Sequence, residues 1–119
     1  GIVILKERIA PAALRALVEE GFRDMVKFVA DVERRAIAIG GQLHADAVLL
    51  LLESGSVQQN LWGANYYPGR GRDGCLEYTS FINIRPAQGN AGMEIEDSGV
   101  RDAVRELAFE FIGTGEALI

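Results

Sequence analysis

The first apolar positions, Ile2 to Leu5, form a β-branched run closed by the charged Lys6, Glu7 and Arg8, which reads as a short strand. Pro11 then suits the first turn of a helix. Beyond it Leu14, Leu17, Val18, Phe22, Met25, Val29, Val32, Ala36 and Ile39 recur at steps of three and four. Arg15, Glu19, Arg23, Lys27, Glu33 and Arg34 take the other side, so the pattern predicts an amphipathic helix ended by Gly40-Gly41. Gly21 falls on the apolar stripe and is either a close-packing point or a break between two helices. Val26, Phe28, Ala30 and Val32 also alternate, so the second half can be written as a strand, although Glu33-Arg34-Arg35-Ala36 favours helix.

Ala47 to Leu52 is apolar throughout and bounded by Glu53-Ser54-Gly55, the pattern of a strand covered on both faces. Leu61 to Tyr67, ended by Pro68-Gly69, and Leu76 to Arg85, ended by Pro86, predict two further strands. Short connections make these three an antiparallel meander. Asp97 or Ser98 can cap a last helix that turns Val100, Val104, Leu107, Ala108 and Phe111 inward. The expected architecture is therefore α+β in one domain, residues 1–119. It has a three-stranded meander plus a short N-terminal strand, with a long N-terminal helix, intact or broken near Gly21, and a C-terminal helix packed on one face. A helix from Pro11 to Ile39 would run about 43 Å at 1.5 Å per residue, longer than such a domain is wide. An overhanging apolar stripe calls for a partner, which motivates the expectation of a homodimer.

Composition narrows the function classes. A chain of 119 residues with 49% hydrophobic and 24% charged positions has enough apolar material for one core. Its net charge of -5 opposes phosphate backbones, and Arg70 and Arg72 in a glycine-rich loop are too few to reverse that, so no nucleic-acid partner is expected. The single cysteine, Cys75, cannot form an intramolecular disulfide, which fits a reducing cytoplasm. No apolar stretch approaches the ~18 residues of a membrane span, and the N-terminus lacks the pattern of a signal peptide.

Two constellations carry candidate chemistry. His44 and Asp46 stand two apart at a predicted strand start, which puts both on one face, where a carboxylate orients an imidazole and raises its pKa. They are the general-base candidates; the plainer reading has both finishing the turn after Gly40-Gly41 by bonding to backbone. One imidazole and one carboxylate fall short of a catalytic metal site, whose other ligands would have to be distant acids such as Glu77, so no metal or cofactor is expected. The second constellation is Asn83, Arg85, Gln88 and Asn90, an arginine fork with amides suited to a small anionic ligand. Its plainer reading is a strand end whose arginine pairs Asp97 or Glu94 and whose amides satisfy loop carbonyls. In the meander the two sets lie at opposite ends of the sheet. Trp62, Asn65 and Tyr67 can line a groove that Gly63 opens, or Trp62 can pack in the core. Cys75 follows a glycine-rich loop with no neighbouring activating histidine.

The segments Gly40-Gly41-Gln42-Leu43-His44-Ala45-Asp46-Ala47, Leu61-Trp62-Gly63-Ala64-Asn65 with Tyr67-Pro68, and Ile82-Asn83-Ile84-Arg85-Pro86 with Gly89-Asn90 resemble an uncharacterised bacterial family of short proteins, a domain of unknown function. The resemblance implies a stand-alone domain and no particular activity. It also implies acidic residues where this chain has Gln42 and Val48. Two readings follow: a non-enzymatic binding or assembly module acting as a homodimer, or a small hydrolase or transferase. In the second, His44 and Asp46 supply the base while Asn83 and Arg85 bind an anionic substrate across a dimer contact.

Overall fold

The computed structural model describes residues 1–119. Five strands form one antiparallel sheet: β1 (Ile2–Leu5), β2 (Val26–Asp31), β3 (Ala36–Gly40), β4 (Leu61–Tyr66) and β5 (Leu76–Glu77), in the spatial order β1-β3-β2-β4-β5. Four helices accompany it: α1 (Pro11–Glu20), α2 (His44–Glu53), a single turn α3 (Gly71–Gly74) and α4 (Ser98–Phe111). No helix is long and apolar enough to cross a membrane.

The long N-terminal helix does not form. Pro11 opens α1 as expected, but α1 ends at Glu20, and the residues after Gly21 turn into the hairpin β2–β3. The competing alternation of Val26, Phe28 and Ala30 prevails because all three are buried against one face of the sheet. A side chain sets the hairpin turn. Asp31 Oδ1 accepts from the backbone N–H of Glu33 at 3.0 Å and of Arg34 at 2.9 Å, and Arg35 closes the turn with φ of 53°. With α1 only 10 residues long, no apolar stripe overhangs the sheet, and that argument for a partner falls.

The meander is corrected as well. Ala47 to Leu52 lies in α2 rather than in a strand, since a short apolar run does not distinguish the two and its leucines are strong helix formers. Of Leu76 to Arg85 only Leu76–Glu77 pairs with β4; beyond it Thr79 and Arg85 make single bridges, to Glu94 and Asn90, on either side of a tight turn at Phe81–Asn83. The N-terminal strand, β4 and α4 stand where expected, with Asp97 accepting from Val100 N–H at 2.9 Å as the cap of α4.

Helices cover both faces of the sheet rather than one. On one face Leu14 and Val18 of α1 and Val104, Leu107 and Ala108 of α4 pack on Phe28, Ala30, Ile37, Ile39, Ala64 and Tyr66. On the other, Ala47, Val48 and Leu51 of α2 pack on Val29, Ala38 and Leu61. Fully burying each large side chain stabilises the fold by about 1.5–3 kcal/mol, so the two-helix face carries most of the stability.

Candidate functional site

The helix that replaced the expected strand separates His44 from Asp46. Two positions apart on a helix they diverge by roughly 200°. His44 is buried at 6% exposure, while Asp46 faces solvent. The His44 ring points onto β4, where Nε2 lies 2.8 Å from the Ala64 carbonyl. A carbonyl only accepts, so Nε2 carries the proton, and in the neutral ring Nδ1 is bare. Burial, opposed by the Ala64 bond, pushes the His44 pKa down to about 4, with nearby Lys27 adding to the depression. At neutral pH His44 is an uncharged, buried imidazole with one nitrogen committed to backbone.

Around it runs a row of polar side chains. Lys27 of β2 and Glu77 of β5 both stand opposite Asn65 of β4, so the three share one sheet face. Asn65 Nδ2 donates to Glu77 Oε1 at 2.8 Å, and the Tyr67 hydroxyl donates to the same oxygen at 3.0 Å. That leaves Asn65 Oδ1 buried without a donor beside the His44 ring. Burial lowers the Lys27 pKa, and Glu77 opposes the shift.

The second constellation organises the outer edge of β4 beyond the short β5. Gly63 N–H donates to Asn83 Oδ1 at 2.9 Å, and Asn83 Nδ2 donates to the Gly63 carbonyl at 2.9 Å and to that of Met93 at 3.1 Å. A side-chain amide thus pairs with the strand as a neighbouring peptide would. The approach is close: a Cβ at Gly63 would fall 2.7 Å from Ser80 Cβ. Asn90, buried at 3% exposure, donates to the carbonyls of Asn83, Gly92 and Glu94 and accepts from Glu96 N–H.

Arg85 donates to the carbonyls of Ile82, Gln58, Gln59 and Leu61 and sits 4.4 Å from the centre of the Trp62 ring. Gln88 Nε2 adds a bond to Gln59 O at 3.1 Å. Arg85 pairs with neither Asp97 nor Glu94; Glu94 goes to Arg101 instead. Trp62 lies in the core at 6% exposure, and Cys75 is fully buried, where desolvation raises its thiol pKa. The contacts of His44 and Arg85 on β4, at Ala64 and Leu61, are three residues apart, about 10 Å of strand. The structure therefore does not bring the two sets together.

What pattern reading missed is the outside of α2. It is the only helix on its sheet face, apolar from Ala47 to Leu52, and leaves Leu49 57% exposed, with the N-cap residue Leu43 59% exposed. Against α2 packs the turn around Phe81–Asn83, which leaves Phe81 78% exposed. Phe81 and the exposed Ile84 border a groove of about 480 Å³ whose other wall is Gln58, Gln59, Arg85 and Gln88. The uninterrupted apolar run was the available signal, because a helix apolar on all sides needs cover on all sides.

A family model described as "Protein of unknown function (DUF5674)" matches residues 3–111, which takes in all the strands but for Ile2 of β1, all four helices and the residues of both constellations. The chain belongs to this family. Neither the curated proteins nor the solved structures contain a match. Family membership carries no activity with it, so function rests on the geometry of the chain itself.

Proposed function

We propose that the chain is a non-enzymatic binding or assembly module that pairs with a second copy of itself through the outer face of α2 and the adjoining Phe81 turn. The observation that carries this reading is the exposure of Leu49 on α2, of Leu43 at its start and of Phe81 on the turn packed against it. A second copy is the occupant because it brings the same exposed Leu49, Phe81 and Ile84, so a two-fold contact covers both sets at once. The hydrolase reading has less support, because His44 and Asp46 diverge and the Arg85 guanidinium is occupied by backbone carbonyls.

Light scattering coupled to gel filtration over a hundredfold range of concentration tests the reading. A dimer that Leu49→Glu converts to a folded monomer is the expected result. A strict monomer throughout rules out self-assembly, and a dimer indifferent to both Leu49→Glu and Phe81→Glu places the interface elsewhere.

A further inference from the structure

Arg8, Arg34, Arg35, Arg85, Arg101 and Arg105 each donate to a carbonyl or a carboxylate of the chain. Arg15, Arg23, Arg70 and Arg72 take no part in that network, with no carboxylate oxygen within 4.0 Å. Three of these four, Arg15, Arg23 and Arg70, line a single cleft of about 360 Å³. They arrive there from α1, from the turn between α1 and β2, and from the loop after β4. In a chain with 17 acidic residues against 12 basic ones, three unpaired arginines at one place are unexpected. Partners are at hand, since Glu19 and Asp24 border the same cleft, yet neither closes on a guanidinium.

The backbone holds two of the three in place. Arg23 has φ of 71°, a left-handed backbone that glycine adopts most readily, and its N–H donates to Val18 O at 2.8 Å two residues past the C-cap Gly21. A long cationic side chain there costs stability and aims a guanidinium at the cleft rim. Arg70 lies 3.9 Å from the centre of the Tyr67 ring. Its loop is pinned on both sides, Gly69 N–H and Gly71 N–H donating to Gly115 O at 3.1 and 3.0 Å. The site is thus pre-organised, which lowers the entropic cost of binding. Its floor is apolar, with Val18 and Leu118.

We propose that this cleft binds a small organic anion, a carboxylate or phosphate group on a compact apolar body. Planar guanidinium groups take such oxygens two at a time, and the volume suits a small molecule. Glu19 and Asp24 leave the lining one positive charge in excess, which favours a compact anion over a polyanion. The cleft lies on the α1 side of the sheet, away from the α2 face, so the proposal stands independently of self-assembly.

The test is a titration of the full chain with phenyl phosphate, benzoate and inorganic phosphate, followed by amide NMR shifts at matched ionic strength. Saturable shifts at Arg15, Arg23 and Arg70, larger for an aromatic anion than for inorganic phosphate, are expected. Arg70→Gln and Arg23→Gly should each weaken binding at least tenfold. Glycine adopts the left-handed backbone without strain, so Arg23→Gly keeps the fold and isolates the loss of charge. Arg72→Gln, outside the cleft, should bind as the parent does. Absence of saturation with all three probes overturns the proposal, as does undiminished binding in either cleft variant. Equal weakening by Arg72→Gln would overturn it too, because it would mark diffuse electrostatics.

Discussion

Along the outer edge of β4, Asn83 and Arg85 commit their donors to the chain's own backbone, whereas Arg70, just beyond the same strand, reaches no acceptor at all. The first region is an internal scaffold: its polar groups stand in for a missing strand, and removing one leaves buried carbonyls and N–H groups unpaired. The second holds its arginines by stacking and backbone geometry alone. Residue type does not separate these roles. The location of the nearest acceptor does, because a donor already satisfied inside the fold has little left to offer a ligand.

The comparison predicts a graded series of effects. Asn83→Leu strands Gly63 N–H and two carbonyls in a site with no exposure and should lose about 4 kcal/mol of unfolding free energy in a urea titration, summing costs of 1–3 kcal/mol per buried orphan. A loss below about 1 kcal/mol would mean the loop has other means of closing β4.

His44, held on β4 apart from that scaffold, should make the fold acid-sensitive. Its folded pKa of about 4 lies below the ordinary 6.5, so the unfolded chain binds the proton more tightly. Stability is complete above about pH 6.5 and falls as pH drops toward 4, by up to about 3 kcal/mol. His44→Gln, still able to reach the Ala64 carbonyl, should flatten that part of the profile relative to the parent. Identical slopes in the two proteins would show that the ring is not held neutral by burial.

The smallest effects separate the arginines directly. Arg85→Gln should cost about 2 kcal/mol, because several carbonyls lose a shared donor, while Arg70→Gln should stay within about 0.5 kcal/mol of the parent. Thermal melts of the two variants side by side suffice. A large loss at Arg70 would move it into the scaffold class and remove the contrast.

Much of the architecture was legible where a local signal stood alone. Pro11 marks a helix start, Asp97 a helix cap, the β-branched Ile2–Leu5 a strand, and Leu61 to Tyr66, closed by Pro68-Gly69, another strand. The errors fell where two periods fit the same residues. From Val26 to Val32 the apolar positions satisfy both a helix and a strand, and the deciding feature is the Asp31 side chain capping the turn at Glu33 and Arg34. The leucines of Ala47 to Leu52 favour helix, but an unbroken apolar run of that length has the form of a buried strand as well.

The sequence by itself determined the α+β class, the excess of acidic residues and the types of residue available for chemistry, because these follow from composition and from short-range periodicity. Only the tertiary structure decided which of those residues are free. His44 and Asp46 diverge because a helix turns about 100° per residue where a strand would have kept them together. Asn83 and Arg85 are occupied because β5 stops after Glu77 and leaves β4 in need of partners. Arg15, Arg23 and Arg70, unrelated in the linear chain, meet at one cleft because α1 folds back beside the loop that follows β4. Local free energies set the elements, but the satisfaction of each donor and acceptor depends on neighbours that long-range packing supplies.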